Sequence, residues 1–305
     1  KDAQGFIAAL KERGVYTIAR VVCFSDPILP IEFPDRAVLD DRPGHKGDVW
    51  VKDKKFRNPW LDPYNTKNHD VIVAIAKEVE QIGFDEVQLD YIRFPVDIAT
   101  KWAVFPAQTD QPRVQVILEL LRKIDEAIHI PLGADVFGVA AFNKGDSVPL
   151  LGQQLDMWAK HVEVFTPMLY VFGMKSWMRH KTVNRAGLLV QQGIKELRGR
   201  IGGAPVIRPF LQGFSNGADY YNPEFIAEQI RGARDGGADG FLFWNPGSTY
   251  TMVRAGMAGP GHSLIPFSLG TRAEERKQAW GEPKKADPQP SSAIANGAHV
   301  VKPAS

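Results

Sequence analysis

Six times along this chain an amphipathic helical pattern gives way, after a short turn, to a short β-rich run. Strands that alternate with helices pair in parallel, because each helix carries the chain back to the starting edge of the sheet. Phe6, Ala9 and Leu10 mark a helix over Lys1 to Arg13, stopped at Gly14, ahead of a strand from Tyr16 to Phe24. Val71, Ile72, Ile75, Val79 and Ile82 mark a helix closed by Gly83, ahead of Val87 to Phe94. Four further steps follow: helix Val114 to Ile128 before Pro131 to Phe137, and helix Leu150 to Lys160 before Val162 to Tyr170. Helix Arg185 to Leu197 then precedes Pro205 to Leu211, and helix Pro223 to Asp235 precedes Gly240 to Trp244. No fixed sequence period accompanies this structural one.

Two parallel architectures fit such a chain. A doubly wound sheet needs a glycine-rich phosphate loop after its first strand, and Phe24-Ser25-Asp26-Pro27 is not one. A (β/α)8 barrel gathers polar groups at the C-terminal ends of its strands. Asp26, Asp90, Arg93, Asp135, Tyr170, Gln212, Trp244 and Asn245 all fall at or just past such ends. The expectation is therefore an α/β fold, a (β/α)8 TIM barrel of which six of eight strands are evident. Six strands leave open edges. The chain begins in a helix, so the first two strands are expected to be missing from this numbering or supplied elsewhere. Residues 1–258 are read as the barrel. Residues 259–305 are read as an extension, mostly a disordered tail, because Glu282 to Ser305 is rich in Pro, Ala, Ser and Lys with little to bury. A long Pro-rich stretch from Ser25 to Asn65 is of a length that loops reach when they carry function.

Composition narrows the function classes. The net charge is +2, which suggests neither a nucleic-acid binder nor a polybasic membrane surface. No apolar run approaches the roughly 20 residues of a transmembrane helix. Lys1 to Leu10 shows no signal-peptide pattern. Cys23 is the single cysteine, set in an apolar run and read as a small buried hydrophobe. His45 and His69 lack metal-ligand spacing, His161 and His180 read as surface residues, and Ser25 has no nucleophile-elbow context. Neither a metal nor another cofactor is expected. Asp26 and Asp97 are loop acids, able to meet a cation or substrate but more often solvated.

The chemistry concentrates in Gly83 to Pro95. Val87, Leu89 and Tyr91 share one face of that strand, and Gln88 and Asp90 share the other. A carboxylate enclosed in a barrel must be paired or at work. Asp135 shares a face with Gly133 and Phe137; Arg208 and Gln212 share one with Phe210; Thr166 and Tyr170 line another strand; Arg20 stands alone in the first. Two carboxylates on neighbouring strands suit glycoside hydrolysis, one attacking the anomeric carbon or activating water, the other protonating the leaving oxygen. Asp90, near Arg93 or Arg20, would stay ionised, and Asp135, beside Phe137 and Val136, would be the acid. The competing reading is an Asp–Arg network that only locks the barrel. Trp50, Trp60, Trp102 and Trp244, with Tyr91 and Tyr170, could stack on sugar faces. Asp26, Trp60, Tyr91, Arg93, Tyr170, Arg208, Gln212, Trp244 and Asn245 are the expected substrate-binding set.

Several segments resemble a bacterial family of glycoside hydrolase-like domains, long catalogued as a domain of unknown function. They are Tyr16 to Pro27, Trp60-Leu61-Asp62-Pro63-Tyr64, Gly83 to Pro95, Asp135-Val136-Phe137-Gly138, Pro167 to Tyr170, Arg208 to Gln212 and Leu242 to Asn245. The resemblance runs in order from about Gly5 to Ala255 and implies an α-amylase-like barrel with two strands upstream of Tyr16. It implies Asp90 as nucleophile, ending the fourth barrel strand, and Asp135 as proton donor on the fifth, where amylases usually carry Glu. Gly213 stands where the family often has Asp. The expected function is cleavage of polysaccharide glycosidic bonds, in a secreted, periplasmic or envelope-associated protein. The alternatives are a carbohydrate-binding barrel of the cell envelope without catalysis, and a purely structural module.

Overall fold

The computed structural model describes residues 2–51, 58–96, 98–143, 147–174 and 185–258. Asp97, His180 and the 259–305 extension lie outside the described residues. All six helix–strand steps are present. Helix α1 (Ala3–Lys11) leads to β1 (Ile18–Val22), α2 (Thr66–Ile82) to β2 (Glu86–Asp90), and α3 (Arg113–Ala127) to β3 (Leu132–Phe137). Two short helices, Ser147–Leu151 and Leu155–Trp158, precede β4 (Val164–Met168). The sequence pattern ran them together as one helix. The chain breaks between them at Gly152, whose φ of +81° suits glycine and whose absent side chain lets it sit against Ile117 and Arg113 of α3.

Helix α4 (Arg185–Ile201) leads to β5 (Val206–Ile207) and β6 (Phe210–Gln212), and α5 (Pro223–Gly236) to β7 (Leu242–Trp244), with α6 (Thr251–Met257) following. β5 and β6 are the two halves of the strand expected over Pro205 to Leu211. Pro209 has no N–H for the ladder, and the pairing lapses there.

The sheet is parallel throughout, in the order β1-β2-β3-β4-β6-β7, with β5 also on β4. Spatial order equals chain order, with none of the reversal that defines a doubly wound sheet. It is a curled six-stranded part of a (β/α)8 barrel. Among the described residues, β1 and β7 form its two edges and are not paired with each other.

Parity then assigns every strand residue to a side. Ala19, Val21, Val87, Leu89, Ala134, Val136 and Phe165 face outward into one apolar core with Ile72 and Ala76 of α2, Leu120 and Ile124 of α3, and Leu189 and Ile194 of α4. Burying the Val, Leu, Ile and Phe side chains among them contributes roughly 1.5–3 kcal/mol each. Several described residues between Ser25 and Asn65 belong to this core too. Trp50, Trp60 and Leu61 are buried, and Leu39–Asp40 pairs antiparallel with Ala103–Val104. Cys23 is buried and donates its thiol to the Val21 carbonyl.

The inward face carries the buried polar groups, set among Val164, Val206 and Met168. Glu86 and Arg208, both with no exposed surface, are ion-paired across the interior from β2 to the break between β5 and β6. Tyr16 donates its hydroxyl to the same Glu86 oxygen at 3.0 Å. One layer higher, Gln88 donates to the Thr166 hydroxyl at 3.1 Å. Arg208 therefore cannot meet substrate as expected: it is consumed in the floor.

A buried pair costs most when one partner is removed. Arg208→Met is expected to lower the unfolding free energy by about 3–5 kcal/mol in urea titrations. Adding Glu86→Gln should restore part of that loss, since it removes the stranded charge and keeps an acceptor for Tyr16.

Candidate active site

Asp90 is the last residue of β2 and Asp135 the fourth of β3. Leu89 pairs with Ala134, so the two acids stand side by side one step further along. Asp135 pairs in turn with Thr166 on β4. All three face the barrel interior near the C-terminal ends of the strands.

The two carboxyl groups have opposite surroundings. One Asp90 oxygen accepts from the Arg20 guanidinium, at 2.8 Å from Nε and also from Nη2. The other accepts the Tyr91 backbone N–H at 2.6 Å. Hydrogen bonds and a cation at this distance favour the ionised form. Asp135 is 1% exposed, and among the described residues neither of its oxygens has a hydrogen-bond partner. Burial pushes its carboxyl well above the usual carboxylate range, and the neighbouring Asp90 charge adds to the effect. Asp90 has a cation and a backbone donor at its oxygens, and Asp135 is driven to keep its proton.

Backbone geometry fixes Asp90 further. Its carbonyl accepts from Cys23 N at 2.8 Å, holding the strand end to β1. Tyr91, the next residue, has φ +53°, a left-handed conformation costing a non-glycine residue roughly 1–3 kcal/mol. That turn aims the Tyr91 N–H back at the carboxylate. Its ring packs edge-on to Trp60 at 5.7 Å, and the Arg93 guanidinium lies 5.3 Å from its centroid.

Above the acids lies a cleft of about 450 Å³, walled by Tyr91, Phe137, Met168, Tyr170, Phe172 and Trp244 and reached by Arg20 and Arg93. Arg93 also lies over the rings of Trp60 and Phe137, at 4.8 and 4.5 Å. Burial raises the Tyr170 hydroxyl far above the ordinary tyrosine range, with both acids adding to the shift. Arg20 spans the opening to lie 5.1 Å over the Trp244 ring, so the two sheet edges touch through these side chains.

The expected substrate-binding set divides. Tyr91, Arg93, Tyr170 and Trp244 line the cleft. Trp60 does not: it is 1% exposed and packs in the core, as does Trp50. Trp102 is half-buried beside Lys101, outside the cleft walls. Asp26 caps a turn, accepting from Ile28 and Leu29 N at 2.7 and 2.8 Å. Gln212 has no exposed surface. It donates to the carbonyls of Phe214 and Asn216 and accepts from Phe172 N, which fastens the cleft loops. Asn245 binds the carbonyls of Gly213 and Thr249 and also sits outside the cleft. At Gly213 itself a Cβ would lie 2.9 Å from the Trp244 carbonyl, so an acidic side chain has no room there.

Other contributors escaped the sequence reading. Gln153, from a loop, accepts from Phe137 N at 2.9 Å and reaches the carbonyls of Ile92 and Asp135, fixing the tips of β2 and β3. Glu86 is the anchor of the floor. Its parity with Gln88 and Asp90 was the available signal. Among the described residues no cluster of His, Cys, Asp and Glu could hold a metal ion, and no helix is long and apolar enough to cross a membrane.

A family model described as "Putative glycosyl hydrolase domain" matches residues 1–250, so the chain belongs to that family and is glycoside hydrolase-like. The crystal structure of a hypothetical protein from Ruminiclostridium thermocellum is 32% identical over 44% of this chain and 65% of that one, with a TM-score of 0.37. The glycoside hydrolase domain of PgaB (BpsB) from Bordetella bronchiseptica gives a TM-score of 0.53 at 14% identity, over 77% of this chain and 72% of that one. The trehalulose synthase MutB from Pseudomonas mesoacidophila gives 0.50 at 14% identity, over 90% and 58%. The latter two likenesses concern the fold alone. The search of curated proteins returned no match.

Two outcomes follow from the paired acids and their backbone. A folded-state pKa above the unfolded value means that the native state binds the extra proton, so stability falls as pH rises above the unfolded value. Asp135→Asn should therefore flatten the decline of Tm with rising pH. If the left-handed turn is what the residue at position 91 must supply, Tyr91→Gly keeps Tm near that of wild type and Tyr91→Ile lowers it. The reverse order would assign the role to the ring.

Proposed function

We propose that this cleft hydrolyses glycosidic bonds of a polysaccharide, with Asp90 as nucleophile and Asp135 as general acid. The observation that carries it is the opposed environment of two adjacent carboxyl groups. Pairs whose surroundings push their pKa values apart divide the acid and base roles between them. Asp135 gives its proton to the glycosidic oxygen as that bond breaks, and the Asp90 carboxylate bonds to the anomeric carbon. Water, deprotonated by the now ionised Asp135, then releases the sugar and restores both acids. Neighbouring strands are about 4.8 Å apart. Side chains on a concave face converge, which favours the close carboxyl spacing (about 5–5.5 Å) of a retaining enzyme over the wider inverting one.

Arg20 balances the Asp90 charge in the resting state, and the rings of Tyr91, Tyr170 and Trp244 offer apolar faces to a sugar. We also propose that the activity operates outside the cytoplasm, in the envelope, the periplasm or the medium, where a polymer too large to cross a membrane is met.

Asp90→Asn is expected to lower turnover of a hydrolysed polysaccharide by about 10³-fold or more. Asp135→Asn should behave differently. It should cripple cleavage of natural linkages while retaining activity on dinitrophenyl glycosides, whose leaving group needs no proton. Activity surviving Asp90→Asn, or equal losses by Asp135→Asn on both substrate types, would sink the assignment. NMR of the first-formed anomer should show retention.

A further inference from the structure

A second depression, a groove of about 570 Å³, opens beside the cleft, with Phe214, Ser215, Tyr221, Asn245, Thr251 and Met252 among its walls. We propose that it binds the continuing units of an uncharged glycan chain whose reacting bond lies over Asp90 and Asp135. The inference rests on the hydrolase reading of that cleft.

Continuity is the first support. Trp244 and Asn245 are consecutive at the end of β7, and the first lines the cleft while the second lines the groove. Phe214 is the partition. Its ring packs 5.5 Å from Tyr170 and 6.1 Å from Phe172, both cleft residues, while its own side chain lines the groove. A chain leaving the cleft over Phe172, which is 49% exposed, meets the groove one ring further on.

The lining chemistry gives the ligand class. Every side chain named in the groove wall is uncharged, whereas a uronate polymer would need cations there and a polyamine sugar acids. Phe214, Tyr221 and Met252 present apolar surface to the C–H faces of sugar rings. Ser215, Thr249 and Thr251 bring hydroxyls that can exchange hydrogen bonds with sugar hydroxyls.

Rigidity is the third support. Asn245 Nδ2 donates to the carbonyls of Gly213 and Thr249 at 2.6 and 2.8 Å, and Gly247 N donates to its Oδ1 at 2.8 Å. The Tyr221 hydroxyl donates to the Gly213 carbonyl at 2.6 Å. A surface already fixed loses little on binding.

Affinity electrophoresis tests it, in gels containing hydroxyethylcellulose, arabinoxylan, galactomannan or pullulan, with polygalacturonate and chitosan as charged counterparts. Asp90→Asn protein should be retarded by at least one neutral polymer and by neither charged one. Adding Thr251→Arg with Ala255→Arg, two exposed positions on the groove wall, should weaken that retention about tenfold, and Ala255→Arg alone by less. Unchanged melting curves establish folding, and Ala8→Arg with Ala9→Arg on α1 is the control. Equal retention of groove and control variants, preference for a charged polymer, or no retention by any neutral one overturns the proposal. If instead groove variants lose retention while Asp90→Asn hydrolyses as fast as wild type, the groove stands and the hydrolase reading falls.

Discussion

The structure hangs on one buried ion pair. Glu86 and Arg208, wholly enclosed, join β2 to the strand formed by β5 and β6 through the interior of the curled sheet. Desolvating two charges is costly, and only close geometry with added hydrogen bonds offsets it. Tyr16 provides one such bond to Glu86. With this floor set, the tiers above it follow: Gln88 with Thr166, then Asp90 with Arg20, then the open cleft. Polar pairs recur tier by tier through the interior while the outward faces remain apolar.

That arrangement explains why two aspartates of the same type behave differently within one register row. Asp90 has Arg20 from the edge strand and the N–H of a strained neighbour. Asp135 stands between β2 and β4, where the walls contribute Thr166, Phe137 and Met168 but no cation at its own oxygens among the described residues. Position within the sheet, more than residue type, is why Asp135 keeps its proton.

Period and parity made much of this legible. The alternation of 3.6-residue and two-residue patterns gave the parallel sheet, and parity gave the shared face of Gln88 and Asp90 and that of Gly133 and Asp135. What escaped was whatever depended on loops or on partners distant in sequence. Trp60 reads as a rim aromatic because it follows a strand, yet its ring is buried in the core. Arg208 reads as a ligand because nothing local reveals Glu86, 122 residues away. Gln153 has no pattern at all, since a single amide bridging two strand tips leaves no periodic trace. Asp26 and Asn245 were expected at the site from their strand-end positions, and short turns claimed both.

Arg20 joins two features that would otherwise be independent. It sits on the edge strand β1, its guanidinium rests over Trp244 of the opposite edge, and it holds the Asp90 carboxylate. The seam between the edges and the counter-charge of Asp90 thus share one side chain. Linkage is reciprocal. Anything that pairs along Ile18–Val22 and moves Arg20 also moves its contact with Asp90, and whatever loosens that contact changes how firmly the edge is filled. Occupancy of that sheet edge and the Arg20–Asp90 ion pair are one coupled equilibrium.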